Sequence, residues 1–422
     1  MINVLIFPAG TEIGREIYLS LRYEKNINLV LAGADYDSHA RHYVCGYHIV
    51  PDVAHQNGLP ALQALLVRES IDYIFPAHDD ALLFLSENRE AFSATVLCPS
   101  QETCRITRFK SKTYQSLKGT VPLPVVFNDP SDIARWPVFV KPDRGQGAQG
   151  ALRVDTPERL TSIQAERDDL IICEYLSGEE FTVDCFSDRV QGLLFCQPRV
   201  RSRIRAGIAM TSTLVSLPEV ETYARAISQR LQLYGAWFFQ LKRSTSGILT
   251  LLEVAPRIAG TMALNRVNGI NFAMLTLYES MRVNVTLRPF AENLQITRSL
   301  TNHYTHDVTY RHVYIDYDDT VVLKDKLCVP VFTFLCQCLN RGIKIHLITR
   351  HAGDIYAELA KRRINNFFDT ITHLGKHHRK SDYIHEADAI FIDDSFHERQ
   401  DVYSTTAIPT FDISMLELLI CE

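Results

Sequence analysis

The sequence lacks the features that would place the chain in a membrane or a secreted compartment. No segment approaches the roughly 18 consecutive apolar residues of a membrane-spanning helix. The apolar start MINVLIFPAG is short and has neither a basic region nor a cleavage signal, so we interpret it as a first strand. The ten cysteines form no CxxC pair, which favours reduced thiols over a zinc site or a disulfide framework. These absences predict a cytoplasmic protein without a membrane partner.

An excess of positive charge is also lacking. Lys+Arg number 44 and Asp+Glu number 49, so the net charge is -5 and no overall field favours nucleic acid. Hydrophobic residues make up 46%, enough for several cores, and 422 residues predict two to four domains of about 100–200 residues each. We therefore expect a multidomain globular protein with small-molecule partners and no nucleic-acid partner. A homodimer is compatible with this composition.

The strand and helix patterns divide the chain into segments. Residues 1–100 alternate strands with helices, which predicts a parallel sheet covered on both faces. Residues 101–295 are mixed, residues 296–310 are polar and are interpreted as a linker, and strict alternation resumes over residues 311–422. The turn Pro8–Gly14 lacks two of the three glycines of a dinucleotide fingerprint, which argues against NAD binding. The fold class predicted is a multidomain combination of α/β and α+β domains.

The motif VYIDYDDT places two carboxylates after a hydrophobic strand near the C-terminal end of the chain. Open α/β sheets bind ligands at the carboxyl ends of their strands, where Asp316 and Asp318 would lie. Asp316 could attack phosphorus, and Asp318 could protonate the leaving oxygen and then activate water. Asp316 and Asp318 are also candidate metal ligands, because Mg²⁺, or Mn²⁺ in its place, would offset the repulsion between the two carboxylates. The alternative interpretation of this motif alone is a charged turn.

Further polar residues follow the next strands in order. Thr349 ends the strand KIHLIT, Lys380 precedes SDYIHEADAIF, and Asp393 and Asp394 end AIFIDD as candidate metal ligands. Lys376 competes with Lys380 in the same basic loop. The ordered set resembles the motifs of the haloacid-dehalogenase (HAD) superfamily, which implies a Rossmann-like, Mg²⁺-dependent phosphatase domain over residues 311–422. The short stretch between Asp316 and Thr349 predicts that this domain has no cap. His373, His377 and His378 are interpreted as a solvated loop, since no carboxylate or cysteine completes a metal site.

A glycine-rich loop between two strands dominates the central segment. WPVFVKPDRGQGAQGALRV has the spacing of a dinucleotide fingerprint at Gly145, Gly147 and Gly150, but ALRV is typical of a strand and not of a helix. We interpret the loop as a flap whose backbone N–H groups hold phosphate oxygens, together with Lys141. In ICEYLSGEE, Glu174 and the backbone of Tyr175 and Leu176 could contact adenine, and Glu180 could accept from ribose. In the strand pair WFFQLKRSTSGILTLLEVAPR, Gln240 and Glu253 would meet at a metal, and Arg257 would face phosphates.

These segments resemble the ATP-grasp superfamily, particularly its carbamoyl-phosphate-synthetase-like carboxylate–amine ligases. The resemblance covers residues 1–295 and implies a Rossmann-like pre-ATP-grasp domain over 1–100 and an ATP-grasp domain over 101–295. It also implies MgATP as cofactor and adds Lys112, in FKSKTYQSL, to the ATP-binding residues. One departure is Ala255, where the family usually has a metal-binding Asn in Glu-x-Asn-Pro-Arg. This departure favours nucleotide binding over full ligase turnover.

Four arginines alternate along the segment PRVRSRIRAG, at Arg199, Arg201, Arg203 and Arg205. On a regular strand they would share one face, where guanidinium groups suit a carboxylate or an acyl phosphate. Arg201, Arg203 and Arg205, with Arg205 the strongest candidate, and Asn265 are predicted to bind substrate. A solvated edge strand protected against aggregation is the alternative.

The sequence thus predicts a bifunctional enzyme. An ATP-dependent ligase would join a carboxylate to an amine through an acyl phosphate and release ADP, and a HAD phosphatase would act on a phosphorylated metabolite through an aspartyl phosphate. The alternative is a degenerate ATP-grasp module that binds nucleotide and presents substrate to the phosphatase.

Overall fold

The structure is a computed structural model that describes residues 1–43, 45–291 and 293–420. It divides into two compact units, Met1–Thr301 and Asn302–Glu422. Within the described residues, no helix has the length and apolar character needed to cross a membrane.

The first unit begins with a five-stranded parallel sheet whose strand order is β3-β2-β1-β4-β5. Its strands are β1 Ile2–Phe7, β2 Ile27–Gly33, β3 His48–Ile49, β4 Tyr73–Pro76 and β5 Thr95–Val96. The helices along this part are α1 Glu12–Leu21, α2 Gly58–Arg68, α3 Asp79–Glu87, α4 Gln101–Arg108 and α5 Lys110–Leu117. The alternation seen in the sequence is therefore confirmed as a parallel sheet.

Two antiparallel sheets complete the first unit. The smaller has the order β6-β9-β7-β8, with β6 Val126–Phe127, β7 Val138–Pro142, β8 Leu152–Val154, helix α6 Pro157–Glu166 and β9 Leu170–Glu174. The larger has the order β14-β13-β10-β11-β12-β15. Its elements are β10 Glu180–Asp188, β11 Gly192–Arg205, β12 Ile208–Leu214, α7 Glu219–Leu231, β13 Gly235–Arg243, β14 Leu249–Ala255, α8 Ala263–Arg266, α9 Phe272–Ser280 and β15 Gln295–Thr297.

One hydrophobic core joins the parallel sheet to residues far along the chain. Val4, Ile17 and Leu31 from the start of the unit belong to the same buried cluster as Phe272 and Leu277 of α9. The parallel sheet therefore shares its core with the segment predicted as the ATP-grasp domain, and Met1–Thr301 is one compact unit.

The second unit is a five-stranded parallel sheet with the order β20-β19-β16-β21-β22. Its elements are β16 His312–Ile315, β17 Val322–Leu323, β18 Lys326–Leu327, α10 Val329–Asn340, β19 Lys344–Thr349, α11 Ile355–Arg362, β20 Thr370–His373, β21 Ala389–Ile392, α12 Phe396–Thr406, β22 Thr410–Phe411 and α13 Leu416–Leu419. Separate buried clusters pack on the two faces of the sheet, as expected for strands that are hydrophobic throughout. The small β17–β18 hairpin and α10 fill the segment between Asp316 and Thr349, where no cap was expected.

The predicted linker is shorter than residues 296–310. Ile296 pairs with Ser212 in β12, and Arg298 forms an ion pair with Glu12, so the start of this segment belongs to the first unit. Val308 and Tyr310 pack against the core of the second unit. The start of the segment is the edge strand β15, and a polar edge strand and a linker look alike in sequence.

Candidate active sites

A cavity in the first unit is lined by residues from both antiparallel sheets and from the loops between their strands. Several of the predicted nucleotide-binding and metal-binding residues line it, namely Lys141, Gly145, Gly147, Glu174, Leu176, Glu180, Gln240 and Glu253. Residues separated by more than a hundred positions in the sequence therefore converge on one space.

Lys141 provides a buried positive charge in this cavity. It lies on β7, and its Nζ donates to the hydroxyl oxygen of Tyr114 at 2.7 Å. The Tyr114 hydroxyl donates in turn to the carbonyl of Leu252 at 2.9 Å. Burial lowers the pKa of Lys141, although nearby acidic groups such as Glu253 oppose this shift. An anionic ligand would stabilise the charged form.

Carboxylate and amide groups lie beside this lysine. Gln240 and Glu253 are register partners on β13 and β14, so their side chains share one face of the sheet, as the sequence predicted. Arg201 on β11 donates to Glu180 and, at 3.0 Å, to the amide oxygen of Gln240. These oxygen groups could hold a hard divalent cation against a nucleotide phosphate.

The glycine loop contacts a second hairpin beside the cavity. Gly207, with φ +75°, lies in the turn between β11 and β12, and a Cβ there would overlap the backbone of Gly147. Arg201 also donates to the carbonyl of Gly207 at 2.6 Å. The close approach of the two backbones explains the glycine at position 207, and the positive φ of +59° favours glycine at position 147.

A second cavity, also within the first unit, adjoins the first, and Lys110, Arg201, Gln240 and Glu253 line both. Arg257 lines this second cavity and forms a bidentate ion pair with Asp79, with distances of 2.6 and 2.7 Å. Burial raises the pKa of Asp79, but the Arg257 guanidinium outweighs it and holds the pKa below its ordinary value. No motif indicated this ion pair between α3 and the segment after β14, because Asp79 and Arg257 are far apart in the sequence.

Several predicted residues lie outside both cavities. Lys112 is exposed and its Nζ lies 4.7 Å from the centre of the Phe109 ring, whereas Lys110 lines both cavities and donates to the carbonyl of Gly145 at 3.3 Å. Lys110, two positions earlier in FKSK, is therefore the lysine of this segment that lines the cavities, and the predicted Lys112 is not. Tyr175 and Gly150 also fall outside the two sets of lining residues.

The four arginines of β11 do not form one cluster. The pairing of β11 with β12 shifts register between Arg201 and Arg203 and again between Arg203 and Ile204, which breaks the regular alternation. Arg203 and Arg205 are exposed and line neither cavity. Arg199 and Arg201 are the two that lie against the second cavity.

Arg199 belongs to a buried polar cluster with Asn265. Its guanidinium forms a bidentate pair with Asp184 at 2.9 and 3.1 Å, and the Asn265 amide donates to the same carboxylate at 3.0 Å. Asn265 is fully buried and lines neither cavity, so its position does not support the predicted role in substrate binding. The hydrogen bond from the Asn265 amide instead stabilises the Asp184–Arg199 pair at the wall of the second cavity.

The second unit contains a compact arrangement of carboxylates around one lysine. The Lys380 Nζ lies 2.5 Å from Asp316 and 2.6 Å from Asp393, and all three side chains are buried. Burial alone would lower the pKa of Lys380, but the two aspartates raise it above its ordinary value. Lys376, the competing candidate, is exposed.

Asp316, Asp393 and Asp394 form a candidate metal centre. Each can offer a carboxylate oxygen, and these atoms lie within 4.8 Å of one another. Burial raises the pKa of Asp316 to about 7; the Lys380 ammonium opposes this shift and Asp393 adds to it. Three oxygen donors in so small a space fit Mg²⁺.

Two further groups lie at the carboxyl ends of β16 and β19. Thr349 is fully buried, and its hydroxyl has no hydrogen-bond partner among the described residues, so it is available to a phosphate oxygen. Asp318 is half-exposed and lies outside the carboxylate cluster, with both its oxygens 3.0 Å from Nδ1 of His351. The prediction of Asp318 as a metal ligand is therefore not supported by its position, which is outside the group of Asp316, Asp393 and Asp394. No sequence motif indicated that His351 would contact Asp318.

The histidine loop is exposed, as His373, His377 and His378 show. The His373 Nε2 lies 2.8 Å from the carbonyl oxygen of His351. A different group, His312, His346 and Glu386, brings ligand atoms within 4.8 Å of one another. Those three are far apart in sequence and carry no local motif, so the sequence did not reveal them.

Comparisons with known proteins identify the fold of the first unit. Residues 166–301 match a family described as ATP-grasp in the biosynthetic pathway with Ter operon. The L-amino acid ligase of Bacillus licheniformis matches at 17% identity and a TM-score of 0.56, over 67% of this chain and 74% of that chain. The biotin carboxylase domain of the Hydrogenobacter thermophilus 2-oxoglutarate carboxylase, solved with MgADP, ADP and bicarbonate, matches at 17% identity and 0.58, over 68% and 71%.

A third similar structure is the N5-carboxyaminoimidazole ribonucleotide synthetase of Thermotoga maritima, at 15% identity and a TM-score of 0.53, over 68% of this chain and 77% of that chain. No curated protein sequence matches the chain. The family model and the structural likeness show a mixed α/β protein with an ATP-grasp fold.

Proposed function

We propose that Met1–Thr301 is an ATP-dependent carboxylate–amine ligase. The observation that carries the proposal is the convergence of Lys141, Gln240 and Glu253 in one cavity within an ATP-grasp fold. The likeness to an L-amino acid ligase supports ligase chemistry, and the likeness to a biotin carboxylase domain solved with MgADP supports nucleotide use.

In this proposal the γ-phosphoryl group of ATP passes to a substrate carboxylate, giving an acyl phosphate and ADP. An amine then attacks the acyl carbon, the C–O bond to phosphate breaks, and an amide and inorganic phosphate leave. Lys141 and Lys110 bind phosphate oxygens, and Glu174 and Leu176 lie where adenine would bind. Arg201 and Arg257 stabilise charge on the transferring group.

We further propose that Asn302–Glu422 is a Mg²⁺-dependent phosphomonoesterase of the HAD type. The family model ends at residue 301, so the support for this proposal comes from geometry. Lys380 bridges Asp316 and Asp393. Asp394 and the Thr349 hydroxyl, which has no hydrogen-bond partner among the described residues, also lie at the carboxyl ends of the parallel strands. Mg²⁺ bound there would neutralise charge on the carboxylates and the phosphate.

The proposed hydrolysis uses two carboxylates in sequence. An Asp316 oxygen attacks phosphorus, the bond to the leaving oxygen breaks, and Asp318 donates the proton that forms the free alcohol. Asp318 then accepts a proton from water, which attacks phosphorus, releases phosphate and restores Asp316. Thr349 and Lys380 hold the phosphate oxygens.

Ala255 supports a second candidate function for the first unit. It pairs with Phe238 at the end of β14 and offers only a methyl group where an Asn ligand is usual in the superfamily. In this alternative, the ATP-grasp domain binds nucleotide without ligase turnover and presents a substrate to the phosphatase.

Incubation of the full chain with ATP, Mg²⁺ and a panel of carboxylates and amines separates the two candidates. The ligase proposal expects ADP release that requires both a carboxylate and an amine, with an amide product detected by mass. Nucleotide binding without ADP release over the panel would favour the alternative. The Glu253→Gln variant is the control for contaminating ATPase activity.

A further inference from the structure

Two imidazoles and a carboxylate meet on one face of the second unit's sheet. His312 and Tyr314 alternate along β16 and so share a face, and His346 on β19 is the register partner of Tyr314. The Nδ1 atom of His312 lies 3.0 Å from Nε2 of His346, and Glu386 brings a carboxylate oxygen to the same space. His312 begins β16 whereas Asp316 follows its end, so this group is separate from the Asp316 centre.

Two of the three ligand groups are oriented by a neighbour. The Nδ1 atom of His346 lies 2.7 Å from the hydroxyl of Thr370, its register partner on β20. When Nδ1–H donates to Thr370, Nε2 keeps its lone pair directed at the other ligands. The Tyr314 hydroxyl donates to one oxygen of Glu386 and leaves the other oxygen available. Such outer contacts are those that orient metal ligands in proteins.

Backbone hydrogen bonds hold the carboxylate segment against β16. The carbonyl of Asp388 accepts from the amides of Arg311 at 2.8 Å and His312 at 3.3 Å. Asp388, two residues after Glu386, is therefore held beside His312, and this limits the movement of Glu386. The His346 and Glu386 side chains are already restricted, so they lose little conformational entropy when an ion binds.

A hydrogen bond between the two histidines would explain their 3.0 Å separation but not the presence of the third group. Two nitrogens bound to one tetrahedral ion at about 2.0–2.1 Å each would lie about 3.3–3.4 Å apart. The observed separation needs only a small increase to admit an ion, and the carboxylate supplies a third ligand.

We propose that His312, His346 and Glu386 bind Zn²⁺, with water as the fourth ligand. Two imidazoles and a carboxylate suit a first-row transition ion, whereas Mg²⁺ prefers oxygen ligands such as those around Asp316. The second unit therefore binds two kinds of metal at opposite ends of β16. This inference does not depend on either proposed activity.

The test is a Zn²⁺ titration of the full chain, stripped with a chelator and held in saturating Mg²⁺, in competition with a chromophoric chelator. Wild type and Asp316→Asn are both expected to bind one Zn²⁺. Co²⁺ in place of Zn²⁺ should give the visible absorption of a tetrahedral site in both proteins. Absence of Zn²⁺ binding in wild type, or its loss in Asp316→Asn alone, would overturn the proposal.

Substitutions that spare the fold test the ligands themselves. Glu386→Gln keeps the shape of the side chain, and Thr370→Val removes only the partner of His346. Each is expected to weaken Zn²⁺ binding by about 10- to 100-fold, as loss of a ligand or its outer contact does elsewhere, and Thr370→Ser should restore affinity. Unchanged affinity in both Glu386→Gln and Thr370→Val, with folding verified by circular dichroism, would assign the cluster to hydrogen bonding alone.

Discussion

At the residue scale, Lys380 defines the chemistry proposed for the second unit. One ammonium group lies between two buried carboxylates, at 2.5 and 2.6 Å, so neither carboxylate is left as an uncompensated buried charge. The same contacts fix the orientation of Asp316, whose free oxygen must point at phosphorus. Nucleophile and electrostatic stabiliser are thus held by one set of contacts.

The Asp316→Asn variant should lose phosphatase activity and keep ATP binding. The amide is a poor nucleophile, and the nucleotide-binding residues belong to the other unit. Hydrolysis of a generic phosphomonoester measures the loss, and calorimetry with MgATP is the control. Activity within about tenfold of wild type, or about 1.4 kcal/mol in barrier, would rule out Asp316 as the nucleophile.

Lys141→Ala and Glu253→Gln should each weaken MgATP binding by about 10- to 150-fold, because a charge-assisted phosphate contact contributes about 1.5–3 kcal/mol. Lys112→Ala is the matched control, since Lys112 is exposed and outside both cavities. Calorimetry with MgATP measures all three. Equal losses in Lys112→Ala and Lys141→Ala would contradict the assignment of the cavity.

At the element scale, strands and their ends were predictable, whereas side-chain convergence was less so. Gln240 and Glu253 were placed together correctly because two adjacent antiparallel strands leave little freedom of register. The arginines of β11 were predicted to share one face and do not, because the bulges after Arg201 have no sequence signature of their own. Lys110 and Lys112 lie in one short segment, and only the start of α5 at Lys110 decides which one reaches the cavity.

The ion pair between Asp79, in the first turn of α3, and Arg257 should make the first unit sensitive to acid. Arg257 holds the pKa of Asp79 below its ordinary value of 3.8. The carboxylate therefore adds stability at neutral pH that is lost as the pH falls below about 4 and through the lowered pKa. Asp79→Asn should reduce the free energy of unfolding by about 3 kcal/mol at pH 7, and by less toward pH 3.

Denaturant unfolding followed by tryptophan fluorescence measures this effect in the full chain. Both tryptophans, Trp136 and Trp237, belong to the first unit, so the signal reports that unit. Glu221→Gln is a suitable control, because its pair with Arg225 is exposed on α7 and should contribute little. A constant difference between Asp79→Asn and wild type across this pH range would contradict the assigned pKa.

At the scale of the whole molecule, the division into units was predicted from the return of strand and helix alternation after a polar segment. The structure divides at Thr301 and Asn302, inside that segment. The predicted boundary between residues 1–100 and residues 101–295 does not separate two hydrophobic cores. Val4 and Leu277 belong to one core, and that core depends on contacts over the whole length of the unit. Alternation along a sequence identifies layers, but it does not identify which layers share a core.

Residues 302–422 expressed alone should fold and retain Mg²⁺-dependent phosphatase activity that EDTA removes. Every strand of the parallel sheet and every residue of the carboxylate centre lies in this piece, whereas β15 remains with the first unit. A cooperative melt by circular dichroism measures folding, and a phosphomonoester panel measures activity. A folded but inactive piece would mean that catalysis requires residues of Met1–Thr301.

The shared core of the first unit has a consequence for synthesis on the ribosome. Val4, Ile17 and Leu31 are made first, but their partners Phe272 and Leu277 emerge only when most of the unit has been translated. Until then the growing chain carries an uncovered apolar surface on its first sheet, which is the kind of surface that chaperones bind and that drives aggregation. The second unit has a shorter wait, because its described core residues all lie between Val308 and Ile420.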